Sequence, residues 1–272
     1  MDIDFDVSGK VMVITGGTGV LCSEMALELG KRGVLVAVLG RNMEKANAVA
    51  DQIKESGGRA IALYADVLIK DTLVAAKEKV LSEFGRVDVL INGAGGNKKE
   101  ATTSDDMSFF DIPADAMQWV FNLNFIGTLL TTQVFGEEIA KNGEGSIINI
   151  SSMASITPLT RVVGYSAAKA AVNNFTKWMA VYLNQNFSPN IRVNAIAPGF
   201  FLTQQNYYLL VDEKTGGDTQ RGKTIKDNTP MGRYGKPEEL IGAVIWLSSN
   251  ASSFVNGVVL PIDGGFSAFS GV

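Results

Sequence analysis

A tyrosine and a lysine four residues apart are the most informative pair of side chains in the sequence. Tyr165 and Lys169 stand at the start of an apolar-striped segment that predicts a helix, so both side chains lie on one helical face. A phenol has a pKa of about 10 and is a poor base at neutral pH, but a neighbouring ammonium favours the phenolate. The pair could therefore transfer a proton, although the Tyr-x-x-x-Lys spacing alone is common on helices that have no such role.

The composition restricts the other chemistry that is available. The 272 residues include no histidine and one cysteine, Cys22, so Ser-His-Asp catalysis, histidine metal ligands, an internal disulfide and a thiolate zinc cluster are excluded. The formal charge of −4 is untypical of nucleic-acid-binding proteins, which carry a basic surplus. Acid–base chemistry must use Tyr, Lys, Ser, Asn or carboxylates, and we expect no metal site.

Short apolar runs alternate with amphipathic stretches along the chain. The apolar runs predict seven strands that are covered on both faces: Val11–Ile14, Leu35–Leu39, Ala60–Tyr64, Val87–Ile91, Ser146–Ile150, Arg192–Ile196 and Gly257–Leu260. The stretches between them predict helices: Leu21–Lys31, Met43–Glu55, Asp71–Phe84 with Asp71 as its cap, Asp115–Ala140, Tyr165–Gln185 and Pro237–Ser248. This alternation predicts an α/β fold, a doubly wound Rossmann domain with a seven-stranded parallel sheet flanked by helices.

No linker divides the chain, so we expect a single domain over residues 1–272. Residues 200–235 depart from the alternating pattern. They are long for a loop, which predicts either a substrate lid or short helices within the segment.

A glycine-rich turn follows the first predicted strand. The run Thr15-Gly16-Gly17-Thr18-Gly19 leads into the first helix, where backbone N–H groups can approach a pyrophosphate and the helix dipole favours negative charge. Because this turn joins a first strand to a helix, it predicts a dinucleotide site rather than an ordinary tight turn. The expected phosphate contacts are Gly16, Thr18, Gly19, Val20 and Leu21.

The end of the second predicted strand bears on the choice of cofactor. A carboxylate at this point would bind the ribose 2′-OH of NAD, whereas an arginine suits the 2′-phosphate of NADP. The strand ends at Gly40-Arg41-Asn42 with no acid, so Arg41 favours NADP(H) over NAD(H), with Asn42 as a further contact. A solvated surface arginine is the alternative interpretation of Arg41.

Polar groups also fall at or just beyond the ends of the other predicted strands, where ligands bind in open α/β sheets. They include Asn92-Gly93-Ala94-Gly95, Ser151-Ser152 and Pro198-Gly199, and Asn124 lies in the long predicted helix. Together with the glycine turn, Tyr165 and Lys169, this ordered set resembles the short-chain dehydrogenase/reductase family over nearly the whole chain.

The resemblance implies a role for each matching residue. Tyr165 would be the general acid/base and Ser152 would bind the substrate oxygen. Lys169 would bind the nicotinamide ribose and lower the pKa of Tyr165 together with the positive nicotinamide, and Asn124 would hold a water of a proton relay. Beyond Tyr165 and Lys169, the cofactor contacts implied here are Asp66, Val67, Asn92, Ala94, Gly95, Pro198, Gly199, Phe201 and Thr203.

The glycine turn departs from the family's Thr-Gly-x-x-x-Gly-x-Gly pattern. Val20 and Cys22 replace the last two glycines, whereas Gly17 and Gly19 are present. We therefore expect diphosphate contacts that differ in detail. Cys22 is expected to be a small buried side chain rather than a nucleophile.

The segments expected to face the substrate are polar and partly cationic. The predicted substrate contacts are Asn97, Lys98, Met153, Arg161, Gln204 and Asn206. This inventory suits a polyhydroxylated acid, because an arginine or lysine can pair with the carboxylate and amides can bind hydroxyls. The alternative is that most of these residues are solvated loop positions.

Several phrases, among them residues 92–97, 122–128, 197–203 and 263–272, look like those of the D-mannonate oxidoreductase (fructuronate reductase) group within that family. This resemblance implies reversible hydride transfer between D-fructuronate and D-mannonate. The group's usual cofactor would be NAD(H), against the inference from Arg41, and the local chemistry of Arg41 keeps NADP(H) as the prediction.

Other functions remain open from the sequence. The enzyme could act on a gluconate-like substrate, or on a 3-oxoacyl-thioester whose carrier arm enters along Tyr207–Leu210. A non-catalytic dinucleotide sensor is a further alternative, although such proteins usually lose the Tyr or the Lys.

The distribution of apolar residues bears on the location of the protein and on its oligomeric state. No apolar run is long enough to span a membrane and the start lacks a signal pattern, so we expect a cytoplasmic protein that binds neither membranes nor nucleic acid. Apolar residues surround much of the two longest predicted helices, and the family implies a homotetramer that pairs them.

Overall fold

Seven parallel strands form one sheet in the computed structural model, which describes residues 4–203, 206–212 and 215–271, with the backbone alone at 208 and 209. The strands are β1 Val11–Thr15, β2 Leu35–Gly40, β3 Arg59–Tyr64, β4 Val89–Asn92, β5 Glu144–Ile150, β6 Asn190–Pro198 and β7 Val259–Ile262. Their order across the sheet is β3-β2-β1-β4-β5-β6-β7. The predicted doubly wound Rossmann sheet is confirmed.

Helices cover both faces of this sheet. They are α1 Val20–Gly30, α2 Met43–Glu55, α3 Lys70–Phe84, α4 Ala114–Phe121, α5 Gly127–Asn142, α6 Val163–Asn186, α7 Tyr207–Leu210, α8 Gln220–Asp227 and α9 Ile241–Ser248. In β1, Met12 and Ile14 pack into one core cluster, whereas Val11 and Val13 pack into the cluster on the opposite face. This two-sided burial explains why the strands are continuously apolar rather than alternating.

The strand order reverses beside β1. β1 pairs with β2 on one side and with β4 on the other, so the chain crosses over the sheet between β3 and β4. At such a switch point the loops after the neighbouring strands diverge and leave a crevice at the carboxyl ends. The loops after β1, β2 and β4 therefore border the crevice.

The longest predicted helix is interrupted. Between α4 and α5 the chain forms one wide π-helical turn, Asn122–Ile126. The side-chain amide of Asn124 donates to the backbone oxygen of Val120 at 2.8 Å and to that of Gly96 at 2.7 Å. The prediction of one continuous helix was wrong because this side chain ties the helix to the β4 loop and the backbone widens there. Such π turns occur frequently at functional sites.

The start of α3 differs from its prediction, whereas the 200–235 segment agrees with one of the two expectations for it. Helix α3 begins at Lys70 after Ile69, so Asp71 lies in its first turn and is not the cap that was predicted. The 200–235 segment contains the short helices α7 and α8, which was one of the two expectations for it. No helix of the described residues is both long enough and apolar enough to cross a membrane.

Candidate active site

A cleft of about 380 Å³ opens at the carboxyl ends of β1, β2 and β4. It brings together many of the residues predicted to bind a cofactor: Gly16, Thr18, Gly19, Arg41, Asn42, Asp66, Val67, Ala94 and Gly95. Lys45 of α2 also lines the cleft and was not predicted from the sequence. Its position just after Gly40-Arg41-Asn42 is the signal that could have identified it.

The glycine turn and the β4 loop approach each other closely at the edge of the cleft. Gly16 has a φ of +64°, and a Cβ at this position would lie 2.8 Å from the backbone nitrogen of Ala94. Only glycine therefore permits this approach of the turn to the β4 loop. Gly19 precedes α1, and no side chain caps the helix, so its first N–H groups remain suited to an anion. The turn thus fits a dinucleotide phosphate.

Cys22 is buried beneath the same turn. Its sulfur occupies the space into which a Cβ at Gly93 would project. Burial raises the pKa of the thiol to about 12, so the side chain is uncharged at neutral pH. Val20 and Leu21 are half-buried in the first turn of α1 and do not line the cleft with their side chains.

Two charged residues meet in the cleft at the carboxyl ends of β2 and β3. Arg41 Nη1 is 4.0 Å from Asp66 Oδ2, and both side chains line the cleft. Asp66 Oδ1 also accepts a hydrogen bond from Leu68 N at 2.9 Å, which holds the carboxylate in the turn after β3. The guanidinium of Arg41 is therefore beside a fixed negative charge.

The side chain of Asn92 is used within the core. Its amide nitrogen donates to Thr132 Oγ1 and to Asn149 Oδ1, both at 2.9 Å. These bonds tie β4 to α5 and β5, so the geometry does not support the predicted contact of this side chain with a cofactor.

The residues after β6 lie outside the first cleft. Phe201 lines a second cavity of about 410 Å³ together with Arg233 and Asp263. A Cβ at Gly199 would lie 2.6 Å from the Cβ of Asp263, so the two segments approach closely. Pro198 ends β6 and is buried. The backbone nitrogen of Thr203 donates to Asn206 Oδ1 at 2.8 Å.

The four predicted catalytic residues lie in one group. Ser152 follows β5, and Tyr165 lies in the first turn of α6 with Lys169 one turn later. Lys169 Nζ donates to the backbone oxygen of Ile150 at 2.7 Å and lies 5.7 Å from the centre of the Tyr165 ring. Because Ile150 ends β5, this hydrogen bond holds Lys169 next to the segment that carries Ser152.

Gly95 lies between Asn124 and Lys169 and completes the group. A Cβ on Gly95 would be 2.6 Å from Asn124 Oδ1 and 3.2 Å from Lys169 Nζ. Asn124 is fully buried, and its Oδ1 accepts a hydrogen bond from Gly96 N at 3.1 Å. The β4 loop, the π turn and α6 therefore meet at this glycine.

Burial controls the protonation of the central pair. It raises the pKa of Tyr165, and a hydrogen bond with Ser152 opposes this change. Burial also lowers the pKa of Lys169 to about 8. Since Lys169 is directed to Ile150, these residues alone do not produce the lowering of the Tyr165 pKa that the family resemblance implied.

Most predicted substrate residues have local partners. Asn97 donates to Thr102 Oγ1 at 2.9 Å, and Lys98 Nζ lies 5.3 Å from the centre of the Trp119 ring. Asn206 donates to Phe201 O and accepts from Thr203 N, both at 2.8 Å, so it closes a turn. The other three predicted residues differ in placement: Met153 is buried, Arg161 lines a third cavity, and Gln204 lies outside the described residues.

Comparison with known proteins assigns the family. The model of the short chain dehydrogenase family matches residues 10–213. This chain belongs to the short-chain dehydrogenase family. It is therefore an NAD(P)-dependent oxidoreductase that acts on a CH–OH group, in agreement with the glycine turn and the Ser-Tyr-Lys-Asn group.

Three relatives align along nearly their whole length. The chain is 50% identical to UxuB, an uncharacterized oxidoreductase of Bacillus subtilis strain 168, with 98% of each chain covered. It is 36% identical to the 2-dehydro-3-deoxy-D-gluconate 5-dehydrogenase of Escherichia coli K12, covering 97% of this chain and 98% of that one. A crystal structure from Haemophilus influenzae, provisionally named a D-mannonate oxidoreductase and containing NAD, is 46% identical with a TM-score of 0.92, and 98% of each chain is covered.

The bound NAD in the Haemophilus structure overturns the cofactor prediction. The preference for NADP(H) inferred from Arg41 was wrong. Asp66 explains why Arg41 does not favour NADP(H). Its carboxylate partly neutralises the Arg41 guanidinium and would repel a 2′-phosphate. The sequence alone shows the arginine but not the carboxylate that the fold brings beside it.

Proposed function

We propose that this protein uses NAD(H) to interconvert D-fructuronate and D-mannonate. The observation that carries the proposal is its full-length similarity to the NAD-containing Haemophilus structure, which is provisionally named for this chemistry. The catalytic group and the nucleotide-shaped cleft support a reaction of this type. The guanidinium of Arg161, in the segment that precedes Tyr165, supports an acidic substrate.

The proposed chemistry assigns one task to each residue of the catalytic group. When bound, NADH supplies the hydride that reaches the ketone carbon. Ser152 donates a hydrogen bond to the ketone oxygen, and Tyr165 delivers the proton that this oxygen gains as the C=O bond becomes a C–O–H group. In the oxidation direction, Tyr165 accepts the same proton. The two hydroxyls therefore stabilise negative charge on the oxygen in either direction.

Lys169 and Asn124 act on Tyr165 rather than on the substrate in this proposal. Lys169 holds the nicotinamide ribose, and Asn124 lies across Gly95 from its ammonium. Both N–H groups of this amide donate to Gly96 O and Val120 O, so its Oδ1 is the atom proposed to hold a water in reach of Lys169 for returning protons to solvent. The residues proposed to hold the dinucleotide are those that line the cleft: Gly16, Thr18, Gly19, Arg41, Asn42, Asp66, Val67, Ala94 and Gly95.

The segment 200–235 is proposed to act as a lid of the single domain. Its described ends are joined by hydrogen bonds, from Leu202 N to Gly235 O at 3.1 Å and from Gly235 N to Phe200 O at 2.9 Å. Leu210, Val211, Ile225 and Tyr234 form a small core of their own within it. A segment with closed ends and a separate core can move as a unit.

A second candidate substrate is the 5-keto form of 2-dehydro-3-deoxy-D-gluconate. The 36% identity to the Escherichia coli dehydrogenase of that name favours it. Both candidates are sugar acids that react at C5, so the same geometry serves both. Parallel assays of NADH oxidation with the two ketones distinguish the candidates. The proposal requires a higher kcat/KM with D-fructuronate. A higher kcat/KM with the deoxy ketone would make the second candidate the substrate.

A further inference from the structure

A third cavity, of about 610 Å³, lies between the segment that precedes Tyr165 and helix α8. Residues 157–162 form one wall, α8 forms another, and Phe200, Phe266 and Phe269 contribute aromatic surface. The first wall is the stretch of chain that connects Ser152 to Tyr165. One wall of the cavity is therefore joined to the proposed catalytic group by a short stretch of chain.

Two arginines line this cavity from different elements. Arg161 belongs to the wall before α6, and Arg221 belongs to α8. None of the lining side chains in the described part of the protein is acidic, and no salt bridge among the described residues involves either guanidinium. Both side chains are exposed at the mouth of the cavity, and partial desolvation together with the positive charge of Arg161 lowers the pKa of Arg221. Two like charges that face one cavity without a carboxylate between them are stabilised when an anion enters.

We propose that Arg161 and Arg221 together bind the carboxylate of the substrate. This inference rests on the proposed function, because it assigns the acidic end of the sugar acid to a defined place. In D-mannonate three carbons separate the carboxylate from the carbon that is oxidised, so the two ends need separate subsites. Arg161 lies four residues before Tyr165, which lets one short segment carry both subsites.

The rest of the lining suits such a ligand. Thr160, Gln220 and Asn228 offer hydroxyl and amide groups to the hydroxyls of the sugar acid, and the aromatic rings cover its carbon chain. Lys98, the other cation predicted to face the substrate, lies against Trp119 instead. Arg233, which lines the second cavity, is paired with Glu239. Neither of these cations is as free to meet a carboxylate as the arginine pair.

Removal of either guanidinium tests the subsite in steady-state kinetics with NADH and D-fructuronate. Arg161→Gln and Arg221→Gln are each expected to raise KM about 10- to 100-fold, as loss of a charge-assisted hydrogen bond does, with kcat largely kept. Arg221→Lys keeps the charge but loses the bidentate geometry, and it should fall between wild type and Gln. The matched control is Lys223→Gln, which removes the same charge from α8 at an exposed position outside the cavity. An unchanged KM in both Gln variants, or an equal rise in the control, would overturn the subsite.

Calorimetric binding of D-mannonate separates this proposal from the reaction itself. If wild type binds D-mannonate and both Gln variants lose it while D-fructuronate is not reduced, the subsite stands and the proposed reaction fails. If D-fructuronate is reduced with wild-type KM in both variants, the reaction stands and the subsite fails. If wild type neither binds D-mannonate nor reduces D-fructuronate, both proposals are wrong.

Discussion

Tyr165 is the residue on which the proposed chemistry depends most. Its hydroxyl is beside Ser152, and burial raises its pKa, so the phenol keeps its proton until charge develops on a substrate oxygen. This state is the one needed to reduce a ketone, because the group must donate. In the oxidation direction, the positive charge of NAD⁺ and Lys169 must favour the phenolate.

Replacement of the hydroxyl should therefore abolish most turnover. Tyr165→Phe is expected to lower kcat about 10²- to 10⁴-fold, the usual contribution of a general acid. The ring remains, so the affinity for NADH measured by fluorescence titration should stay near that of wild type. A variant with nearly normal kcat would show that another group transfers the proton.

The buried ammonium of Lys169 predicts a pH dependence of stability. Its pKa is lowered to about 8 by burial, whereas an unfolded lysine titrates near its ordinary value of 10.5. Between about pH 8 and pH 10 the unfolded chain holds a proton that the folded protein has released, so the free energy of unfolding should rise with pH by at most about 1.4 kcal/mol per pH unit. Denaturant unfolding of wild type and Lys169→Met without cofactor measures this difference.

Lys169→Met should lack this rise in the free energy of unfolding, because it has no ammonium at this position to titrate. Lys79→Met, which changes an exposed lysine of α3, is the control and should keep it. Parallel pH profiles for wild type and Lys169→Met would contradict the assigned effect of burial.

The order of the motifs and the family resemblance together singled out the proposed catalytic group, but they did not predict every neighbour. Ser152, Tyr165, Lys169 and Asn124 were singled out and do lie together. Asn206 was predicted to contact the substrate through its amide, yet this amide closes a local turn. A sequence shows which side chains can form hydrogen bonds, and only the fold determines which partner each one meets.

Among the secondary-structure elements, the β4 loop and the π turn position the proposed catalytic group, because they meet α6 at Gly95. The prediction of an uninterrupted helix missed this turn because a single widened turn leaves the apolar pattern nearly unchanged. Strand ends were also shifted: the predicted strand Val87–Ile91 corresponds to β4 Val89–Asn92. Pairing with β1 places Asn92 opposite Thr15, and such pairing is not visible in the composition of one strand.

A methyl group at Gly95 should disturb the catalytic group without reaching its chemistry directly. The new Cβ would lie 2.6 Å from Asn124 Oδ1, so Asn124 and Lys169 must shift. Gly95→Ala is expected to lower the free energy of unfolding by about 1–3 kcal/mol and kcat by up to about 100-fold. Thermal unfolding and NADH oxidation measure the two effects.

Gly96→Ala provides the matched control for that substitution. A Cβ at Gly96 would meet Leu123 Cδ2 at 3.7 Å, which is ordinary van der Waals contact. The control should therefore remain close to wild type in stability and in kcat. Equal effects at the two glycines would show that the close approach at Gly95 has no special importance.

At the scale of the whole molecule, α6 leaves an apolar face uncovered. Trp178 is 57% exposed and Val181 is 56% exposed, and the ring of Trp178 stacks on Tyr182 with centres 4.8 Å apart. An exposed aromatic patch on a long helix is typical of an interface between protein chains. We therefore propose the homotetramer that the family resemblance implied.

Light scattering of the purified protein tests this assembly. Wild type should have the mass of a tetramer at micromolar concentration, and Trp178→Glu should shift it to smaller species because a charge would be buried in the interface. Lys79→Glu on α3 should not change the mass. A monomeric wild type would contradict the assembly and leave the exposed face unexplained.

Reduction of D-fructuronate with NADH is the activity on which the proposed function depends. The most direct measurement follows the absorbance of NADH with D-fructuronate and with the 5-keto form of 2-dehydro-3-deoxy-D-gluconate, using wild type and Tyr165→Phe. We predict steady oxidation with D-fructuronate, a lower kcat/KM with the deoxy ketone, and almost none in the variant. Absence of oxidation with D-fructuronate, while the deoxy ketone is reduced, would contradict the proposed substrate and leave the family and the fold in place.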